Sequence, residues 1–202
     1  MSLRDELVGD APPEPRGYTL IVPPDWGRFI ANDAGRDELV DLLRARFREI
    51  SRPDLFAQAR AMAHRQWEQM RAHAAMEIYL PVVPPEEGGT PMSVLVSPWI
   101  AQGPFAQDVR ARAGGRTVEE LDDGRGGHLY RWVGERRGEG EREGLDAREL
   151  FYVLPFPGRN PRRGILLMAA IVHPGAERAG AALEAFTALA DSIVSTFTWR
   201  YA

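Results

Sequence analysis

The chain has 202 residues and a formal net charge of −4, and all 25 of its basic residues are arginine. Because lysine and cysteine are absent, a Walker A phosphate loop, a Schiff base, a thiol nucleophile and a thiolate metal site are excluded. Acidic and basic residues are interspersed, which argues against a nucleic-acid-binding domain.

The N-terminal 16 residues contain three prolines and no apolar periodicity, which predicts a flexible leader followed by a single domain over residues 17–202. A signal peptide would need a basic start and an apolar run, and neither is present in this segment. No stretch of the sequence reaches the apolar length of a membrane span. We therefore expect a cytoplasmic protein that does not bind membranes.

The first half of the domain predicts a strand, a pair of helices and a hairpin. Residues 18–22 have the β-branched and aromatic composition of a strand, which ends at Pro23 and Pro24. Apolar residues then recur at helical spacing from Asp37 to about residue 50, and again from Pro53 to about residue 75. These two helices are expected to lie on a sheet. Residues 76–99 predict a β-hairpin whose turn contains Gly88 and Gly89.

The middle of the chain predicts short helices and two strands. A helix is expected over 105–113, and a second one from Thr117, whose hydroxyl and Glu120 fit a capping box. Strands are expected from His128 and from Glu149. The charged, glycine-rich residues 135–144 between them have no apolar content, which is typical of a mobile hairpin tip.

The last forty residues give the clearest pattern. Residues 164–172 are apolar at every position, which predicts a central strand buried on both faces and hence helices on both sides of the sheet. A helix over 175–190 and a terminal strand with alternating apolar residues over 192–201 are expected next. The whole pattern predicts an α+β fold, with an antiparallel sheet of about six or seven strands and helices on both faces.

The two ends of the domain resemble a known fold family. The opening YTLIVPPDW and the closing ALADSIVSTFTWRY resemble the ends of Mog1/PsbP-like α/β/α sandwich domains. Over residues 18–201 the chain is similar to a group of uncharacterised actinobacterial proteins with a P-x-W opening, a V-L-V strand and a terminal I-x-x-T-F-x-W. The resemblance implies a binding or assembly factor rather than an enzyme, and some actinobacterial relatives look like companions of secretion systems.

The turn PFPGRNPRRG, residues 155–164, is the candidate partner- or anion-binding site. It presents Arg159, Arg162 and Arg163 between two apolar strands. Three guanidinium groups on a proline-stiffened loop could clamp a phosphate or an acidic segment of a partner. The alternative is a hairpin tip that is made soluble by its charge.

The other polar patterns predict neither a catalytic nor a metal site. His64 and Glu68 stand at i and i+4, but a third ligand is missing because His73 falls on the opposite side of the helix. The serines lack a nucleophile elbow. His128 is the residue that we consider as a base, in a pocket under residues 100–126.

We therefore expect a non-enzymatic cytoplasmic protein that binds another protein as an assembly or secretion accessory factor. We expect no cofactor, no metal and no nucleic-acid partner, and leave a homo-oligomer open. The alternative is a small-ligand-binding domain or hydrolase with a pocket under residues 100–126. A deep pocket that holds two or more polar groups of perturbed pKa would favour this alternative.

Overall fold

The computed structural model describes residues 14–82, 90–122, 127–140, 143–158, 160–175 and 180–201. Most of the expected leader lies outside these ranges, as do Gly88 and Gly89 of the first hairpin turn. In chain order the elements are β1 (Gly17–Thr19), β2 (Trp26–Ile30), α1 (Asp33–Glu49), α2 (Pro53–Ala72), β3 (Glu77–Pro81), β4 (Met92–Ile100), α3 (Phe105–Ala113), β5 (Glu119–Asp122), β6 (His128–Arg136), β7 (Leu145–Pro155), β8 (Arg163–Pro174), α4 (Ala181–Ser195) and β9 (Thr198–Arg200).

Seven strands form one antiparallel sheet in the order β2-β3-β4-β8-β7-β6-β5. Strands β1 and β9 pair with each other in a separate two-stranded sheet. The predicted α+β class and the large antiparallel sheet are therefore confirmed.

The central position of β8 is also confirmed, because this strand lies between β4 and β7. Its odd-numbered residues from 165 to 171 are buried in one core cluster with Leu183, Ala190, Ile193 and Val194 of α4. The even-numbered residues from 166 to 170 point to the opposite face and are half-buried. Helix α4 therefore covers the face of β8 that carries the odd-numbered residues, and this face is more completely buried than the opposite one.

Helix α3 covers part of the opposite face. Its residues Phe105 and Val109 are buried in a second cluster with Tyr130, Trp132 and Val153 of the sheet. Helices therefore lie on both faces of the sheet, as the apolar pattern of residues 164–172 predicts. No helix among the described residues combines the length and the apolar character needed to cross a membrane.

The helical pair joins the sheet at its edge. The side chain of Asn32 accepts a hydrogen bond from the backbone N–H of Gly35, so α1 begins at Asp33, four residues before the expected start. Trp67 of α2 is buried, and its Nε1 donates to the carbonyl of Asn32 at 2.9 Å. Helix α1 packs on β2, the edge strand, which anchors the pair to the body of the protein.

Two predictions in the first two thirds of the chain were wrong, and one strand there was not predicted. The strand expected over 18–22 is shorter, and β2, just after the two prolines, was not expected. The helix expected from Thr117 is instead strand β5, whose Glu119 pairs with Arg131 of β6. Pairing with the neighbouring strand satisfies the backbone hydrogen-bonding groups of these residues, and this outweighs the local capping pattern that favours a helix.

The terminal strand expected over 192–201 is also shorter, because α4 continues to Ser195. Ile193 and Val194 are both buried, which a half-buried strand with a period of two would not allow. Ile193 and Phe197, four residues apart, would share a face in a strand and lie on one side of a helix, so the spacing of these two residues fits both structures.

Candidate functional site

A pocket of about 720 Å³ lies where the face of the large sheet, the C-terminal end of α4 and strand β9 meet. The turn between β7 and β8 closes one side with Pro157, Gly158 and Pro161. The aliphatic and aromatic side chains of the wall are Leu121, Leu129, Leu154, Val194, Phe156, Phe197, Trp199 and Tyr201.

The alternation of two neighbouring strands sets the floor of this pocket. Arg131 of β6 lies directly opposite Tyr152 of β7, so both side chains point to the face that α4 covers. From α4, Asp191, Val194 and Ser195 reach the pocket, because the spacing i, i+3, i+4 puts them on one side of a helix.

A hydrogen-bond network forms the polar part of the floor. The Asp191 carboxylate accepts hydrogen bonds from Arg131 Nε at 2.8 Å, from Arg131 Nη2 at 3.2 Å and from the Tyr152 hydroxyl at 2.6 Å. Arg131 Nη1 donates to Glu119 of β5 at 2.9 Å. The network therefore ties α4 to three neighbouring strands of the sheet.

Burial and charge fix the protonation states of two of these groups. Burial raises the pKa of Tyr152, and the hydrogen bond to the Asp191 carboxylate raises it further. Burial by itself would lower the pKa of Arg131, but its hydrogen bonds to Asp191 and the charge of that carboxylate outweigh this, so the pKa is raised. Tyr152 is therefore protonated and Arg131 charged at neutral pH, and neither is suited to transfer a proton there.

His128 and Ser195, which both line the pocket, interact with other residues and not with each other. His128 lines the pocket at the start of β6, and its Nε2 lies 3.1 Å from the Tyr130 hydroxyl. The Ser195 hydroxyl donates to the carbonyl of Ser192 at 2.7 Å. This arrangement does not make Ser195 and His128 a hydrogen-bonded pair of nucleophile and base.

The expected pocket under residues 100–126 differs from this one. Of that stretch, Glu119, Leu121 and Asp122 of β5 line the rim, whereas α3 packs on the other face of the sheet. His128, the residue considered as a base, does belong to the pocket.

The arginine turn stands next to the pocket. Arg159 lies outside the described residues. Arg162 Nη1 donates to the carbonyl of Gly103 at 2.8 Å. Arg163, the first residue of β8, forms an ion pair with Glu14 and lies over the Phe156 ring, 5.2 Å from its centre. Arg162 and Arg163 thus hold two different segments against the turn rather than converging on one point.

The spacing of His64 and Glu68 does not lead to a metal site in the described part of the chain. No group of three or more histidine, cysteine, aspartate or glutamate side chains there is arranged to hold a metal ion.

Sequence reasoning missed the three central residues of the network. Arg131, Tyr152 and Asp191 were not singled out, although each is a polar residue inside an otherwise apolar segment. A polar residue inside an apolar segment is the sequence signal that could have identified them, because a buried or half-buried polar residue is more informative than an exposed one.

Comparisons with known proteins assign the chain neither to a family nor to a function. No protein-family model matches it, and no curated protein matches it. The crystal structure of LpqN, involved in cell envelope biogenesis of Mycobacterium tuberculosis, is similar at a TM-score of 0.45 and 12% identity, over 96% of this chain and 88% of that chain. A similarity this low assigns neither a family nor a function, so the resemblance to Mog1/PsbP-like domains stays a prediction.

Proposed function

We propose that this protein is a non-enzymatic binding protein that takes up a small molecule with an apolar body in the pocket beside α4. The pocket itself carries the proposal. Its volume of about 720 Å³ falls within the range of about 300–1,000 Å³ that is typical of small-molecule sites. A wall that combines aliphatic and aromatic side chains with polar groups is also typical of such sites.

The state of the polar groups supports binding rather than catalysis. Asp191 accepts three hydrogen bonds from Arg131 and Tyr152, so the network is built to hold its own geometry. The raised pKa values of Tyr152 and Arg131 keep both groups in the protonation states that they have in water at pH 7. A general acid or base would instead need a pKa near the working pH.

The protein-binding accessory role indicated by the sequence is the second candidate function. It is favoured by the helical pair, on which Leu42, Ile50 and Met62 are exposed by 44%, 48% and 41%. Exposed apolar side chains of this kind are suited to contact with a protein partner. The arginine turn as a contact site, a cytoplasmic location and membership of a Mog1/PsbP-like actinobacterial family belong to this second proposal.

A pair of matched variants tests the pocket. Ser195 and Ser192 are both exposed and both lie in the last turns of α4, but Ser195 lines the pocket and Ser192 does not line it. Ser195→Trp should therefore fill the pocket, whereas Ser192→Trp should leave it open. The probe is N-phenyl-1-naphthylamine, an uncharged apolar dye whose fluorescence rises in apolar surroundings.

The wild-type protein and Ser192→Trp should bind one dye molecule with similar affinity. Ser195→Trp should bind it at least about tenfold more weakly, which corresponds to about 1.4 kcal/mol. Denaturant melts should show that both variants are folded. Equal dye binding by both variants, or no saturable binding by the wild-type protein, would overturn the proposal.

A further inference from the structure

The distal half of the helical pair buries none of its apolar side chains. The buried residues of the two helices are Gly35 and Val40 of α1 and Trp67 of α2, in the halves that adjoin β2 and β3 in the chain. None of residues 41–66, all of which the structure describes, is buried. Helices in proteins gain most of their stability from packing of their apolar side. The apolar side of residues 41–66, here called the arm, is therefore available to a partner.

Two exposed apolar side chains of the arm point away from the side on which the helices are buried. Leu42 and Met62 are exposed by 44% and 41%. Since each residue turns a helix by about 100°, Leu42 lies about 200° from Val40 around α1, and Met62 lies about 140° from Trp67 around α2. Both side chains therefore face away from the side by which the pair joins the sheet.

The two helices bring these side chains to the same stretch of the arm. The short connection at residues 50–52 makes the helices antiparallel. Arg44 of α1 lies over the ring of Phe56 of α2, 5.3 Å from its centre, so these levels of the two helices face each other. Leu42 and Met62 are both within six residues of this contact. A partner seated along the pair would therefore contact both.

The arm also carries positive charge that is not compensated. It contains six arginines and three carboxylates, a net charge of +3, in a chain whose total is −4. Each carboxylate pairs with one arginine, in the pairs Asp41–Arg44, Glu49–Arg46 and Asp54–Arg52. The other three arginines, Arg48, Arg60 and Arg65, are exposed and take part in no ion pair among the described residues. Arg65 follows Met62 by three residues, so these two side chains are neighbours on the surface of α2.

The charge of the arm discriminates between occupants. The arm of a second copy would bring the same three unpaired arginines and would be repelled. A partner that carries carboxylates beside apolar side chains would pair with the arginines and bury Leu42 and Met62 in one contact. Two antiparallel helices leave a groove between them, and a third helix packs into such a groove.

Building on the protein-binding candidate rather than on the pocket, we propose that the arm docks an acidic amphipathic helix of a partner protein. The apolar side of that helix lies against Leu42 and Met62. Its carboxylates lie beside Arg65, and Arg48 and Arg60 add long-range attraction during the encounter.

Three fluorescein-labelled peptides of about 18 residues, long enough to form a helix, test this proposal. The first has leucines at helical spacing and glutamates on its other side. The second has glutamine in place of each glutamate, and the third has the composition of the first in scrambled order. Fluorescence anisotropy at low salt should show the first peptide bound at least about tenfold more tightly than either of the others. Its advantage over the glutamine peptide should shrink at high ionic strength, because salt screens exposed charges.

Matched substitutions localise the contact. The double variant Leu42→Ser, Met62→Ser removes the apolar contacts, and its control is Ile100→Ser, at a 66% exposed residue at the end of β4. Arg65→Gln and its control Arg110→Gln, at a 61% exposed residue of α3, change the net charge equally. The double variant should bind the acidic peptide at least about tenfold more weakly, and Arg65→Gln about threefold more weakly. Both controls should bind it like the wild-type protein, and urea melts should show that all variants are folded.

The outcomes separate this inference from the candidate function on which it rests. If none of the peptides binds the wild-type protein, the protein-binding candidate fails as well. If the glutamine peptide binds as tightly as the acidic one, the arm stands as a docking surface and the acidic preference is wrong. Equal losses in the variants and their controls would also refute the inference. So would self-association through the arm in analytical ultracentrifugation, or binding to phosphatidylglycerol vesicles without binding to the acidic peptide.

Discussion

The replacement of Asp191 by alanine tests whether the network under the pocket holds α4 to the sheet. The substitution removes an acceptor of three hydrogen bonds, two from Arg131 and one from Tyr152. Tyr152 is 1% exposed, so its hydroxyl would be left without a partner in the interior. Arg131 would keep its contact with Glu119, which limits the damage to the guanidinium.

These contacts set the size of the effect. A hydrogen bond to a charged group contributes about 1.5–3 kcal/mol, and a buried group left unpaired costs about 1–3 kcal/mol. The Asp191 side chain is 42% exposed, and solvent screening lowers the value of its ion pair. We expect Asp191→Ala to lower the free energy of unfolding by about 2–4 kcal/mol.

Urea unfolding followed by circular dichroism measures this loss. Glu184→Ala is the matched control, because Glu184 also lies on α4 and pairs with an arginine, Arg148, at 2.7 Å, but its side chain is 63% exposed. The control should lose less than about 1 kcal/mol. In a Tyr152→Phe background, Asp191→Ala should cost at least about 0.5 kcal/mol less, since no hydroxyl is stranded. A loss of less than about 1 kcal/mol for Asp191→Ala alone would refute the reasoning.

Two further predictions concern the fold. A Cβ added to Gly35 would lie 2.1 Å from the carbonyl oxygen of Ile30, so Gly35→Ala should lower the free energy of unfolding by about 2–3 kcal/mol or more. A Cβ added to Gly103 would have no atom within 4 Å, so Gly103→Ala should change the free energy of unfolding by less than about 0.5 kcal/mol. Equal melting temperatures for these two variants would contradict the packing of α1 on β2. Burial raises the pKa of Glu77 in the folded state, so its protonated form favours folding and the stability that it contributes is lost as the pH rises through the folded pKa. Glu77→Gln should therefore gain stability relative to the wild-type protein as the pH rises above about 4 in denaturant melts, and a constant difference would be evidence against this burial effect.

The elements that could be predicted from the sequence are those whose own residues determine them. Strand β8 follows from nine consecutive apolar residues, and α3 falls at the expected residues 105–113. Strand β5 could not be predicted in this way, because all four of its residues are exposed and its conformation depends on pairing with β6. The boundary between α4 and β9 was ambiguous, since the spacing of Ile193 and Phe197 fits both a helix and a strand.

The pocket could not be predicted because its residues are distant in the sequence. Asp191 lies 60 residues from Arg131 and 39 residues from Tyr152, and the three meet only when α4 packs on the sheet. Two residues of the arginine turn, Phe156 and Pro161, line the pocket. Among the described residues of the turn, Phe156, Pro157 and Pro161 line the cavity, whereas Arg162 and Arg163 do not.

The most direct test of the proposed binding pocket is to find which tryptophan senses a ligand. Of the five tryptophans of the chain, Trp199 is the one among the described lining residues. Fluorine NMR of the protein labelled with 5-fluorotryptophan, with the Trp199 signal assigned through Trp199→Phe, would follow all five while uncharged 1-naphthaleneacetamide is added. We expect the Trp199 resonance to shift by far the most and to saturate. A larger shift of Trp67 or Trp99, or no shift at all, would contradict the proposal that this pocket binds a small apolar molecule.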